Sequence, residues 1–328
     1  MERAAHISLV ILFCGMISAV PVTQAILELA DDETPQLLEL FSDWPTEEHL
    51  RRFESDLEEY SWFEENIRPV YQLTAWLGMR DPGAKALVGR DGWFFFHPGV
   101  KYLVQPYYTW IEGEKIEGGD PIEVIVSFRD QLASRGIDLL VVPVPGKASI
   151  YPDELARLND VSAADDVATN TRRFATALRK LGVAVADLHT PLIEARPVAD
   201  RRGELLYMRS DTHWTGHGVR VAAAALAARI RAAARFEPDA SRERYRRERV
   251  RVVRRGDIPV MTRIPLQEKL FSPETVDTFQ VRAADTNALY EDDPGSPVLL
   301  LGDSFSRVFQ TDQPQAAGLI ANLAFELQ

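Results

Sequence analysis

Apolar and polar positions follow three regimes along this chain. From Ile7 to Val20 (ISLVILFCGMISAV) fourteen consecutive residues carry no charge, with Arg3 and His6 ahead of them. A membrane span needs about 17–25 apolar residues and the hydrophobic region of a secretory signal about 7–15. The run therefore reads first as a signal peptide, with Thr23-Gln24-Ala25 as a small-residue cleavage site. It reads second as an uncleaved anchor, lengthened through Pro21, Val22 and Ala25-Ile26-Leu27. A buried core helix is the third reading. Residues 31–80 form an acidic, helical regime. Leu50, Phe53, Leu57, Tyr60, Phe63 and Ile67 recur at steps of three and four, and Thr46 before Glu47 and Glu48 suits an N-cap. This is either a helical flanking region or the first helix of the main domain.

The third regime begins after the breaker Asp81-Pro82-Gly83. Gly92 to Phe96 is a short aromatic strand. Pro121 to Arg135 is an amphipathic helix with proline at its head, stopped by Gly136. Asp138 to Val144 (DLLVVPV), Val183 to Ala186 and Val298 to Leu301 (VLLL) are continuous apolar runs, as in strands covered on both faces. Helices are expected over 164–181 and, rich in alanine, over 216–236. Strand–helix alternation predicts an α/β fold with a doubly wound, mostly parallel sheet. The expected organisation is 1–30 signal or anchor, 31–80 helical flanking region, and 81–328 the α/β domain.

Composition narrows the function. Across 328 residues, 37 Lys and Arg against 49 Asp and Glu give a net charge of −12. That balance lacks the basic footprint of a nucleic-acid-binding protein. Residues 242–255 (RERYRRERVRVVRR) hold eight arginines; they form either a solvated face or a local groove for a polyanion. The single cysteine, Cys14, excludes an intrachain disulfide and a cysteine-based zinc site.

Two short segments carry candidate chemistry. Gly302-Asp303-Ser304 follows the VLLL run, so Ser304 falls at the carboxyl end of an expected strand, where sites of open α/β sheets lie. Its backbone N–H is a candidate oxyanion donor. The second segment is Ser210-Asp211-Thr212-His213-Trp214-Thr215. A serine hydroxyl needs an adjacent base, and that base needs a partner fixing its tautomer. In extended backbone, residues two apart face the same side, so Asp211 can orient His213. Thr215 is a plausible N-cap for the helix that follows. A metal reading uses Asp211, His213 and His217; a purely structural one has Asp211 capping a turn and His213 bonded in the core. Lys147, at a strand end after Gly146, either lines the cleft or is a surface lysine. Arg307 either meets an anionic sugar or caps surface charge. Trp214 either stacks on a sugar ring or packs in the core.

DTHWTGHG (211–218) together with LLLGDSFS (299–306) resembles the SGNH hydrolase-like acetyltransferases typified by the alginate O-acetyltransferases of AlgX and AlgJ type. DGWFFF (91–96), VPVPGKASIYP (142–152) and RGDIPVM (255–261) extend the likeness to residues 85–328. The D-x-H element precedes the serine, the reverse of most SGNH esterases. The resemblance implies Ser304 as nucleophile, His213 as base and Asp211 as orienting acid. It implies acetyl transfer through an acetyl-serine to a polysaccharide acceptor, outside the cytoplasmic membrane. A membrane-bound acyltransferase would supply the acetyl group, and the chemistry requires no metal or organic cofactor. Membrane association would run through residues 7–27. The chain ends 24 residues after Ser304, where family members continue through further elements, so either the chain is truncated or those parts are absent. The rest of the oxyanion hole and the acceptor site stay unassigned. A carbohydrate esterase with the same triad, and a non-catalytic scaffold of a polysaccharide-export machine, are the alternatives.

Overall fold

The computed structural model describes residues 2–41, 44–105, 120–156, 169–233 and 244–328. They divide into two compact units: residues 1–81 with 263–265, and residues 82–262 with 266–328.

In the first unit, helix α1 (Glu2–Ala30) has an apolar stretch, His6–Ala30, long enough to cross a membrane by length and composition. Its apolar side chains are exposed, including Ile7, Ile11 and Phe13. The three-four periodicity of 47–71 resolves into three helices rather than one: α2 (Glu47–Tyr60), α3 (Trp62–Asn66) and α4 (Arg68–Met79). Thr46 caps α2 by accepting from the His49 N–H. The break at Ser61 has a local cause. Its hydroxyl accepts from the Glu64 N–H and starts a new helix, and Pro69 starts the next.

In the second unit β1 (Ala86–Val88) pairs antiparallel with β2 (Phe94–Phe96), the expected aromatic strand. Then follow α5 (His97–Val104) and α6 (Pro121–Ala133), the latter capped by Asp120 accepting from Ile122 N–H. β3 (Leu140–Val141), α7 (Lys147–Ile150), α8 (Pro152–Leu155), α9 (Thr169–Lys180), β4 (Ala184–Val185) and α10 (His189–Arg201) complete the first half. The second half runs α11 (Gly216–Arg231), β5 (Tyr245–Arg254), α12 (Asp257–Met261), α13 (Gln267–Leu270), β6 (Glu274–Ala283), α14 (Ser304–Arg307) and α15 (Leu319–Leu327). Residues 164–168, 234–236, 242 and 243, expected in helices or in the arginine run, lie outside the described residues.

The expected mostly parallel sheet is only partly realised. Among the described residues, parallel pairing is confined to β3 and β4, with Leu140 opposite Ala184 and Val141 opposite Val185. Pro143 and Pro145 deprive the end of the DLLVVPV run of ladder donors. The VLLL run forms no strand. The Val298 N–H donates to the Ser296 hydroxyl, which donates back to the Val298 carbonyl, and Leu299 and Leu301 are 81% and 75% exposed. The longest ladder is instead antiparallel, β5 against β6, from Tyr245 opposite Ala283 to Arg254 opposite Glu274. Within the arginine run, Tyr245–Arg254 is the partly solvated β5 strand. Arg247 meets Glu326 at 2.7 Å, Arg249 and Arg251 share Asp277, and Arg254 lies 3.6 Å from Asp312. Those acidic partners offset much of the strand's positive charge, which favours the solvated-face reading over a groove for a polyanion.

The main core joins Trp93, Phe95, Ile150, Tyr151, Leu192, Tyr207, Trp214, Leu226, Phe309 and Leu323. A smaller cluster of Leu178, Val183 and Val185 packs with side chains of α6 beside β3 and β4. Alanines let α11 approach its neighbours closely, and Thr215 caps it by accepting from the His217 and Gly218 N–H groups. Its first turn needs glycine. A Cβ on Gly216 would stand 2.5 Å from the Asp277 carbonyl oxygen, and one on Gly218 would stand 2.3 Å from that of Leu206. Gly218→Ala therefore forces backbone apart and should destabilise the protein by about 1–3 kcal/mol. A thermal melt should show a Tm several degrees below wild type; an unchanged Tm would contradict this contact.

Candidate active site

The candidate site is built on the loop between Leu205 and Thr215. Its ends are drawn together by a bridge between Tyr207 and Trp214. The Met208 N–H donates to the His213 carbonyl at 3.1 Å and the Thr215 N–H to that of Leu206 at 2.9 Å. Tyrosines hold the rim. The Tyr151 hydroxyl accepts from the Leu206 N–H at 2.9 Å and donates to Asp200 at 3.1 Å, and the Tyr207 hydroxyl donates to the Pro145 carbonyl.

Lys147 sits beneath the loop, 5% exposed. Its Nζ donates to the carbonyls of Met208 at 3.0 Å, Arg209 at 2.9 Å and Asp211 at 2.7 Å. An ammonium has three donors, so all are engaged. The charge lies 5.7 Å from the centre of the Trp93 ring and 5.2 Å from that of Phe95. Burial lowers the Lys147 pKa to about 7, against the opposing charges of Glu274, Asp211 and Asp257. Glu274 grips the same loop by its donors. It accepts from the Arg209 N–H at 2.8 Å, from the Ser210 N–H at 2.6 Å and from the Ser210 hydroxyl. The Gly256 turn closes the remaining side; a Cβ there would stand 2.0 Å from the Ser210 carbonyl oxygen.

This frame turns Asp211 and His213 toward each other. His213 Nδ1 lies 2.6 Å from Asp211 Oδ1, and the His213 backbone N–H donates to the same oxygen at 3.0 Å. The other oxygen, Oδ2, accepts from the Asp257 N–H at 3.3 Å. Burial would raise the Asp211 pKa. The hydrogen bonds from His213 and the attraction of its charge outweigh that and bring it below the usual carboxylate range. Asp257 behaves in the opposite way: burial and the Asp211 charge raise its pKa, despite hydrogen bonds from Thr212. His213 Nε2 is buried and has no hydrogen-bond partner among the described residues.

Ser304 opens α14, and Asp303 caps that turn by accepting from the Phe305 N–H at 2.9 Å. The Asp303 carbonyl takes the N–H groups of Ser306 at 3.1 Å and Arg307 at 3.3 Å. Phe305 anchors the segment on the site: its ring centre lies 4.8 Å from that of His213 and 5.2 Å from that of Trp214. The structure thus joins Asp211 to His213 and seats the neighbour of Ser304 on the imidazole. Ser304 itself is exposed, and it makes no hydrogen bond to His213 Nε2.

The other expected site residues fall elsewhere. Lys147 is neither at the surface nor open to a ligand, because its donors hold the loop. Trp214 is fully buried against Phe305, which removes it from sugar stacking. Arg307 is exposed and lies 3.3 Å from Asp312. Among the described residues, Asp211, His213 and Asp257 form a group that could hold a metal ion, their ligand atoms within 4.8 Å of one another. His217 is not in it. Its Nδ1 lies 3.7 Å from Glu204, and its ring meets Phe279 edge-on. The group's carboxylates already accept hydrogen bonds: Asp211 from His213, and Asp257 from the Thr212 N–H at 2.7 Å and the Thr212 hydroxyl at 2.5 Å. Asp257 and Glu274 escaped the reading of the sequence. Asp257 lies within RGDIPVM, whose Gly-Asp turn was the available signal; Glu274 has no local signature.

The chain belongs to the family of SGNH hydrolase-like domains represented by the acetyltransferase AlgX, whose model matches residues 86–318. A probable alginate O-acetylase AlgJ of Pseudomonas fluorescens is 28% identical over 229 residues, covering 67% of this chain and 53% of that protein. The probable alginate O-acetylase AlgJ of Pseudomonas putida is 33% identical over 147 residues, 43% of this chain and 32% of that protein. The solved O-acetyltransferase domain of Pseudomonas putida AlgJ aligns at 25% identity with a TM-score of 0.45, over 61% of this chain and 66% of that one. The chain therefore spans about half or less of the length of these curated relatives.

Replacing Lys147 tests the frame. Lys147→Met keeps the volume but strands three carbonyls and removes the cation facing three carboxylates. It should cost at least about 2 kcal/mol in urea denaturation at neutral pH. Between pH 7 and 10.5 the unfolded chain holds a proton on this lysine that the folded chain has released. The lysine's burial penalty is therefore full below pH 7 and is relieved as pH rises through that window. The variant should lack this rise in stability; an identical pH dependence in both proteins would contradict the lowered pKa of Lys147.

Proposed function

We propose that this chain carries the catalytic domain of an extracytoplasmic polysaccharide O-acetyltransferase working through an acetyl-serine on Ser304. The observation that carries the reading is the Asp211–His213 contact at 2.6 Å, with Nε2 left unbonded and Phe305, next to Ser304, against the imidazole. Family membership and relatives named alginate O-acetylases support acetyl transfer to an alginate-like polysaccharide. The apolar helix α1 supports a signal or anchor that places the domain outside the cytoplasm. A membrane-bound acyltransferase is the expected acetyl donor.

In this mechanism Ser304 Oγ swings onto His213 Nε2 when substrate binds, a hydrogen bond that tightens in the reacting complex. Nε2 takes the hydroxyl proton as Oγ bonds to the acetyl carbonyl carbon. Asp211 stabilises the imidazolium. The Ser304 backbone N–H contributes to holding the oxyanion. Collapse breaks the bond to the leaving group, which departs with the proton from Nε2. A sugar hydroxyl then repeats the sequence: it gives its proton to Nε2, bonds to the acetyl carbon and expels Ser304 Oγ, which regains a proton.

The test is intact mass spectrometry of the full chain after exposure to an activated acetyl ester. Wild type should gain one acetyl group at Ser304, and Ser304→Ala none. Asp211→Asn should slow acylation on the order of 10⁴-fold. An acyl-enzyme that drains to water regardless of added polysaccharide would move the reading to an esterase. No adduct in any form would favour the scaffold.

A further inference from the structure

The imidazole of His213 faces a second carboxylate besides Asp211. Asp257 Oδ2 lies 3.6 Å from Nδ1, too far for a direct hydrogen bond. The link runs through Thr212. Its backbone N–H donates to Asp257 Oδ1 at 2.7 Å, and its hydroxyl donates to Oδ2 at 2.5 Å. A hydroxyl has one proton to give. With that proton on Asp257, Thr212 Oγ1 can offer His213 only a lone pair, and it does so 3.1 Å from Nδ1. Nδ1 is therefore met by two acceptors, Asp211 Oδ1 and Thr212 Oγ1, and satisfies both only as N–H. The remaining nitrogen, Nε2, then carries the free lone pair, and it is the one with no partner among the described residues.

The arm is rigidly placed. Gly256 packs on the Ser210 backbone at a distance that excludes any side chain. The Ile258 N–H donates to the Ser210 carbonyl at 3.3 Å and the Asp257 N–H to Asp211 Oδ2 at 3.3 Å. The two carboxylates and the imidazole are thus registered by backbone contacts rather than by long, freely rotating side chains.

We infer that Asp257, acting through the Thr212 hydroxyl, is a second positioning residue for His213 that holds it in the Nδ1–H tautomer with Nε2 as the base. The catalytic consequence rests on the acetyl-serine reading above; the hydrogen-bond assignment does not. Asp257→Asn is the discriminating variant, because it keeps the shape and reverses the donor order. The amide oxygen accepts from the Thr212 N–H, and the NH₂ donates to Oγ1. The hydroxyl proton is thereby redirected toward Nδ1, where it competes with the N–H that Asp211 Oδ1 holds at 2.6 Å.

The experiment is histidine ¹⁵N spectroscopy of the full-length chain in detergent micelles, at a pH where the rings are neutral, with His213 assigned from His213→Gln. Wild type and Thr212→Ser should show His213 as the Nδ1–H form. Asp257→Asn should populate the Nε2–H form and slow acylation by about 10- to 100-fold with KM unchanged, by analogy with the loss when the outer partner of a metal-ligating histidine is removed. A folded Asp257→Asn with the wild-type tautomer would overturn the inference. If Asp257→Asn does not fold, Thr212→Val reads the same arm: an unchanged tautomer population there overturns the inference, and a mixed one supports it. Ser304→Ala separates the two claims. It should abolish acylation and leave the tautomer untouched, so a chain that never acylates but shows the Asp257→Asn shift would retain the inference and lose the mechanism.

Discussion

An ammonium group has three protons to give and no lone pair, and Lys147 gives all three to carbonyls of one loop, those of Met208, Arg209 and Asp211. Much of the candidate site depends on that grip. A loop whose carbonyls point inward at a buried cation must turn its N–H groups elsewhere, and those of Arg209 and Ser210 meet Glu274. The backbone is thus held from both faces by opposite charges. Asp211 and His213 emerge from it with their side chains already in contact. Water could satisfy the same carbonyls in a surface loop, but it would not fix their directions.

Close packing supplies the rest of the rigidity. Gly216, Gly218 and Gly256 each stand where a Cβ would strike backbone of another segment. Two of these contacts bring α11 against β6 and the start of the loop; the third brings the Gly256 turn against Ser210. The Tyr151 hydroxyl, bonded to Leu206 and Asp200, ties the rim to α10. Preorganisation of this kind keeps an imidazole aimed without relying on the entropy-rich side chains of the surface. The Ser304 segment is held differently, through one aromatic ring on His213 and Trp214, and Ser304 remains exposed.

The heart of the site was legible where the signal is local. The expected meeting of Asp211 and His213 is present, though through a turn in which the His213 N–H donates to Asp211 Oδ1 and not through extended backbone, and Thr215 caps α11 as its place before a run of alanines implies. What escaped the sequence is long-range or depends on pairing. VLLL has the composition of a buried strand, but a strand also needs a neighbour to bond, and Ser296 satisfies Val298 locally. Lys147 looked like a surface lysine because nothing adjacent announces three carbonyls some sixty residues away in the chain. Trp214 had two readings that only burial separates. Asp257 and Glu274 reach the loop from 46 and 64 residues beyond Asp211 and Ser210, distances over which periodicity carries no information.

The central claim is that this frame aims His213 Nε2 at Ser304. The most direct measurement is a crystal structure of the full-length chain after reaction with a serine-directed phosphonate, which traps a tetrahedral adduct. The account predicts phosphorus on Ser304 Oγ, with His213 Nε2 about 3 Å from an oxygen of the adduct. The Asp211 contact and the three Lys147 hydrogen bonds should be retained. An adduct on another residue would contradict it. So would an adduct on Ser304 with the imidazole turned away and Asp211 no longer bonded to Nδ1.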